Sequence, residues 1–234
     1  MRVLVGTSGY SYKEWKGSFY PDDLPAAKML TFYASHFDTV EINNTFYRMP
    51  EAKTVAKWAG EVPETFVFVL KAPQRITHQK RLAGAGDDVR FFFEAAAELG
   101  PKLGPVLFQL PPFSRKDVPR LRDFLKVLPR HPVAFEFRHE TWFDDEVSSV
   151  LRDHDAALCV ADTDEVADPG SLQMSTASWG YLRLRRTEYR DGEIERWAER
   201  VKQQPWSSAF VFFKHEDEGK GPACARTFRG ALAV

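Results

Sequence analysis

Hydrophobic positions along this chain fall into short runs with two different periods. Eight of the runs alternate or are solidly apolar and are rich in β-branched and aromatic residues, the pattern of β-strands. They are R-V-L-V-G near Val3, T-V-E-I-N near Val40, F-V-F-V-L-K near Phe68 and P-V-L-F-Q-L near Leu107. The remaining four are V-A-F-E-F-R near Phe135, A-L-C-V-A-D near Cys159, G-Y-L-R-L-R near Leu182 and A-F-V-F-F-K near Val211. Between them the apolar residues recur at helical spacing. Met29, Leu30, Tyr33 and Phe37 predict a helix over 26–37, and Val55, Trp58 and Ala59 one over 52–59. A Phe- and Ala-rich helix over 89–99 stops at Gly100-Pro101, and Leu121, Phe124, Leu125 and Leu128 mark one that ends at Pro129. Val147, Val150 and Leu151 mark a fifth, Ile194, Trp197, Ala198 and Val201 a helix after the seventh strand, and 223–233 the last.

Strand followed by helix, eight times over, predicts an α/β protein with a single (β/α)8 TIM-like barrel. The sixth helical unit is degenerate, because Asp162 to Ser178 is polar and contains Pro169-Gly170. The alternative is an open doubly wound sheet, which rarely uses eight such even units. No linker or compositional break divides 1–234, so one domain is expected.

A strand covered on both faces carries charge only where the charge is paired or hydrated. Nearly every strand here nonetheless ends in a polar residue: Glu41 and Asn43 on the second, Lys71 on the third, Gln109 on the fourth, Glu136 and Arg138 on the fifth. Asp162, Arg183 and Lys214 end the sixth, seventh and eighth, and His215 follows directly. Residues two apart share a face, so Glu41 points with Asn43 and Glu136 with Arg138. At the C-terminal mouth, where barrel enzymes keep their active sites, three acids and four bases would converge. The bland reading is a self-satisfied ion-pair plug, although apolar layers fill a barrel at least as well.

Composition narrows the partners. Thirty-two basic and thirty-three acidic residues leave a formal charge of −1 over 234 residues, which argues against charge-driven binding of nucleic acid. Nineteen Phe suit aromatic packing between layers. Cys159 and Cys224 lie far apart, as in a reduced compartment. No apolar run is long enough for a signal or a membrane span, so a cytoplasmic location and no membrane partner are expected. Among the loops, G-T-S-G-Y-S-Y-K-E-W, with Ser8, offers small residues and amides that could cradle an anion. K-A-P-Q-R-I-T-H-Q-K-R-L is the most basic segment and could guide one. R-H-E-T-W puts His139 and Trp142 at the same end, where Trp142 could stack on a base or sugar or cover the barrel top.

These segments, together with F-D-T-V-E-I-N-N-T-F-Y-R-M-P, F-Q-L-P-P-F and F-E-F-R-H-E-T-W, closely resemble the DUF72 family, also called YecE-like. The likeness runs over essentially the whole chain in fixed order. It implies a TIM-barrel-like fold related to the superfamily of xylose isomerase and endonuclease IV, and it names no activity. It also implies that Glu41, Asn43, Lys71, Gln109, Glu136, Arg138 and Asp162 lie in or beside family motifs, with Arg183 less securely matched. Many members follow the eighth strand's Phe with Asn residues, where this chain has F-F-K-H-E-D-E-G-K-G-P.

The chemistry that fits is an enzyme, whether hydrolase, lyase or isomerase, acting on a small phosphorylated or otherwise anionic substrate. Lys71, Arg138, Arg183 and Lys214 would bind the anion, and Glu41, Glu136 or Asp162 would transfer protons. Asn43, Gln109, His215, Trp142 and Ser8 would line the site. No cofactor is expected: Lys and Arg stand where metal ligands would be, although Mg2+ through Glu41, Glu136 or Asp162 stays open. The alternative is a non-catalytic module for a phosphorylated ligand or a nucleic-acid end.

Overall fold

The computed structural model describes residues 1–165 and 175–233. The strands are β1 (Arg2–Thr7), β2 (Thr39–Ile42), β3 (Val67–Lys71), β4 (Leu103–Gln109), β5 (Val133–Glu136), β6 (Ala157–Leu158), β7 (Val160–Asp162), β8 (Trp179–Leu184) and β9 (Ser208–Phe213). All pair in parallel, in the orders β2-β3-β4-β5-β6 and β1-β9-β8-β7. Two seams join these sheets into a TIM-like barrel. At one, Ser8 bridges Glu41 in parallel. There Gly6 is essential, since a β-carbon on it would lie 2.2 Å from the Thr39 carbonyl oxygen. At the other, the chain passes from β6 to β7 through Cys159 alone.

The expected sixth strand is therefore two short ones. Ala157 and Leu158 pair with β5, whereas Val160 to Asp162 pair with β8. The buried Thr176 hydroxyl accepts from the Leu158 amide at 2.7 Å and donates to the Ala156 carbonyl at 2.9 Å. It takes up backbone groups that a continuous ladder would otherwise satisfy. The expected degenerate sixth helical unit falls largely on residues 166–174, which lie outside the described residues.

Among the described residues eight α-helices follow in order: α1 (Met29–Ala34), α2 (Asn44–Tyr47), α3 (Ala52–Gly60), α4 (Gly86–Ala96), α5 (Val118–Val127), α6 (Asp145–Asp153), α7 (Glu193–Lys202) and α8 (Lys220–Ala233). Asp117 and Asp144 fix the starts of α5 and α6 by accepting from the amides of Arg120 and Val147. Alternation sorts the apolar side chains into two cores. Leu4, Val69, Leu107, Ala134, Cys159, Tyr181 and Phe212 belong to the barrel interior. Val40, Phe68, Phe108, Phe135, Leu182 and Val211 face outward and join the helices in the larger core. That parity decides which polar residues reach the lumen. None of the described helices is long and apolar enough to cross a membrane.

Candidate functional site: a charged clamp in the barrel mouth

Glu41 follows the outward Val40, Glu136 follows the outward Phe135, and Arg183 follows the outward Leu182, so all three turn into the lumen near their strands' C-terminal ends. Both carboxylates are fully buried, and Arg183 lies between them. Its Nη2 and Nε donate to Glu41 Oε1 at 2.8 and 3.2 Å, and its Nη1 to Glu136 Oε2 at 2.6 Å. The Tyr181 hydroxyl donates to the other Glu41 oxygen at 2.6 Å. Glu136 Oε1 accepts from Gln109 Nε2 at 2.7 Å and from Arg138 Nε and Arg185 Nη2, each at 3.1 Å.

Burial alone would raise both carboxyl pKa values. Arg183 overrides it at Glu41, helped by the Tyr181 hydroxyl, and Arg183, Arg185 and Arg138 override it at Glu136, so both are held below the usual carboxylate range. A carboxylate surrounded by so many donors is a weak base. In each, one oxygen accepts two or three donors and the other accepts one, so proton transfer by Glu41 or Glu136 would compete with these bonds.

Lys71, the last residue of β3, faces the same lumen and is only 8 % exposed. Its Nζ lies 3.9 Å from the centre of the Phe46 ring, a cation–π contact, and is in no ion pair among the described residues. Burial and the nearby Arg183 lower its pKa to about 8, against the opposing pull of Glu41 and Glu136. Four basic groups, Lys71, Arg138, Arg183 and Arg185, thus face two carboxylates. Arg185 Nε is buried without a hydrogen-bond partner among the described residues.

Other expected site residues stand nearby. Asn43, two residues beyond Glu41, is half-buried at the start of α2 and caps nothing with its side chain. Lys214 continues the inward face of Phe210 and Phe212 at the rim, 3.8 Å from Glu216. The Ser8 hydroxyl is buried close enough to Glu41 to help hold its charge, but makes no hydrogen bond of good geometry.

Three expected residues lie elsewhere. Asp162 turns outward: Arg186 Nε and Trp197 Nε1 on the helix side donate to it at 2.7 and 3.0 Å, so it holds β7 to α7 and is absent from the mouth. Trp142 is buried against Phe137, ring centres 4.2 Å apart, with its Nε1 bonded to the Ser114 carbonyl, and offers no open face for stacking. His215 is buried against Tyr189, and its Nε2 donates to the Arg186 carbonyl at 2.5 Å.

The loops also differ from expectation. In the loop from Gly6 to Trp15, whose small residues and amides were expected to cradle an anion, the Thr7, Ser8 and Gly9 amides are engaged by the Tyr33 hydroxyl and by the Phe213 and Glu41 carbonyls. Arg75 and Lys80 of the basic segment both pair with Asp88 at 2.7 Å. A groove of about 420 Å³ between residues 82–86 and α5 lies on the flank, away from this chemistry.

The sequence reading missed Arg185, Tyr181 and His78. Arg185 and Tyr181 sit two positions either side of Arg183, so period-two counting along Y-L-R-L-R could have found both. His78 gave no such signal. A turn over Arg75–Gln79 brings its ring to 4.8 Å from Phe46, beside Lys71. Burial, Lys71 and Arg138 lower its pKa. Cys159 is fully buried in the barrel interior, which pushes its thiol pKa well up and makes it a poor nucleophile. Among the described residues no group of three or more His, Cys, Asp or Glu could hold a metal ion.

A family model described as protein of unknown function DUF72 matches residues 4–234. UPF0759 protein YunF of Bacillus subtilis is 35 % identical over 150 residues, covering 60 % of this chain and 52 % of the relative. UPF0759 protein YecE of Escherichia coli is 35 % identical over 143 residues, covering 60 % and 50 %. The chain spans about half the length of the curated relatives it matches. A solved DUF72 family structure from Thermotoga maritima matches 100 % of both chains with a TM-score of 0.89 and 26 % identity. Another, from Enterococcus faecalis, covers 100 % of this chain and 98 % of its own, with a TM-score of 0.81 and 21 % identity.

Proposed function

The chain belongs to the DUF72 family, and on that premise we propose that its barrel mouth is the active site of an enzyme acting on a small phosphorylated or otherwise anionic substrate. The observation that carries this reading is the imbalance of charge: four basic groups against two carboxylates, with a donor on Arg185 that has no partner among the described residues. Arg138, about a third exposed, and Arg185 present guanidinium edges to the opening, the geometry that suits a phosphate or carboxylate. Glu41 and Glu136 hold the guanidinium groups in place. Proton transfer then falls to Lys71, whose pKa burial lowers to about 8, and to the imidazole of His78 beside it.

The module for a nucleic-acid end draws less support. Of the aromatic rings that could serve it as stacking platforms, Trp15, Tyr47 and Trp142, only Tyr47 is exposed, and the loop's Arg75 and Lys80 are paired with Asp88.

Thermal melting tests the proposal with inorganic phosphate, sugar phosphates, sugar acids, nucleotides and short single-stranded oligonucleotides, on the wild type and on Arg138→Ala. A true ligand at a hundred times its Kd adds about 2.7 kcal/mol, a rise of several degrees for a chain this long. The expected result is a rise with small anions that Arg138→Ala loses. If no small anion raises the wild-type Tm, or only oligonucleotides do, the proposal fails.

A further inference from the structure

Lys71 differs from the other basic groups of the mouth. Arg138, Arg183 and Arg185 each bind a buried carboxylate, whereas Lys71 makes no ion pair or hydrogen bond from its Nζ among the described residues. Its backbone is nevertheless fixed. The Thr45 hydroxyl donates to the Lys71 carbonyl at 2.6 Å, and the next amide, that of Ala72, is tied to Leu107 of β4. An amine held on a rigid strand end, buried without an ion pair and in the field of Arg183 and Arg138, is an arrangement that favours a neutral, nucleophilic nitrogen against the opposing pull of the Phe46 ring. His78 completes it. Its ring stands against the same Phe46, and its Nδ1 lies 2.9 Å from the Thr77 hydroxyl, which leaves Nε2 for a proton relay.

We propose that Lys71 is a catalytic amine that condenses with the carbonyl carbon of an aldehyde or ketone carrying a phosphate or carboxylate group, forming a Schiff base in the barrel mouth. The amine lone pair attacks the carbonyl carbon, and the C=O π pair moves to oxygen, which takes a proton. Nitrogen loses a proton, the carbinolamine hydroxyl takes the proton that the ammonium first released and leaves as water, and a protonated imine remains. In sum, an ammonium and a carbonyl give an iminium and one water, with charge conserved and no oxidant or reductant consumed. His78 passes protons between nitrogen and the leaving oxygen, and the guanidinium groups hold the substrate's anion. The iminium is an electron sink for bond cleavage or proton loss at the adjacent carbon, which narrows the reaction to the lyase or isomerase kind. This inference rests on the anionic-substrate reading above.

Trapping tests it. The protein is incubated with pyruvate, dihydroxyacetone phosphate or neutral propanal in the presence of cyanoborohydride, which reduces an imine to a stable secondary amine. Intact mass and peptide mapping then locate the adduct. At pH 7 a lysine with its pKa near 8 holds on the order of 100-fold more free amine than a surface lysine. The expected result is one adduct from an anionic carbonyl compound, on Lys71, at a rate rising with pH up to about 8, absent in Lys71→Met and slowed at least tenfold in Arg138→Ala.

Adducts spread over surface lysines, or none at Lys71 while small anions still raise the wild-type Tm, would overturn the Schiff base and leave the anion site standing. Rapid labelling of Lys71 by propanal with no preference for the anionic compounds would keep the reactive amine and overturn the anionic-substrate reading. No adduct together with no rise in Tm would remove both.

Discussion

Arg183 is the residue on which the mouth depends, because it neutralises two fully buried carboxylates at once. Removing one member of a buried ion group leaves the others charged and unpaired, which costs about 3–5 kcal/mol. Arg183→Met, which keeps much of the volume and removes the charge, is therefore expected to lower the unfolding free energy by about that amount in urea titration. Loss of less than about 1 kcal/mol would mean that the carboxylates find other partners. Lys71 should behave oppositely. Its folded pKa of about 8 lies below the ordinary 10.5, so between those values the unfolded chain binds more protons and wild-type stability rises with pH. Below pH 8 both states carry the charge, and the folded protein bears the full penalty. Lys71→Met should thus melt above wild type at pH 7, with the gap shrinking as pH climbs from 8 towards 10. A gap independent of pH would show that the lysine's charge is not what the fold resists, and a stability sacrificed at this position is what a functional group would leave behind.

At the scale of elements, what the sequence made legible was parity, and what it hid was where parity starts. Glu41, Glu136 and Arg183 sit between apolar residues that must face the helices, so their inward turn could be read directly. Asp162 could not be placed this way. Ala157, Leu158, Cys159 and Val160 are all apolar, and nothing in that run says which of them faces the lumen. The structure puts Ala157 and Cys159 inside, and three steps beyond Cys159 fall outside, where Trp197 waits. The places of Trp142 and His215 were hidden for a different reason. Each lies just past its strand, where the backbone turns and a period of two no longer applies. The break between β6 and β7 was equally invisible, because it depends on Thr176 arriving from far along the chain. Thr176→Val keeps the shape and removes the hydroxyl, leaving the Leu158 amide buried and unpaired at a cost of about 1–3 kcal/mol. Urea unfolding measures it, and an unchanged midpoint would show that the split needs no such support.

Over the whole molecule, the barrel was legible because the strand–helix alternation repeats along nearly the entire chain, and helices on the outside force the strands to be covered on both faces. The overall charge of −1 was a poor guide to the mouth, since basic groups concentrated in a lumen create a local field that a balanced surface does not reveal. The seams gave no sequence signal at all. One rests on a single bridge beside Gly6 and the other on one residue of chain, so the ring is two sheets with weak joints. Glu41 and Glu136 belong to the five-stranded sheet and Arg183 to the four-stranded one.

The clamp that prepares a ligand site is consequently also a rivet between two half-shells, and acid is the tool that draws it. Both folded carboxyl pKa values lie below the ordinary 4.5, so the stability they supply is complete above that pH and drains away as pH falls towards the folded values. Backbone amides at the seams, those of Ser8, Gly9 and Cys159, should then exchange with deuterium sooner than amides in the middle of either sheet as the solution is taken from pH 5 to pH 3, once the intrinsic slowing of exchange is corrected for. If seam and mid-sheet protection fell together, the barrel would be opening as one hoop instead of parting along its joints.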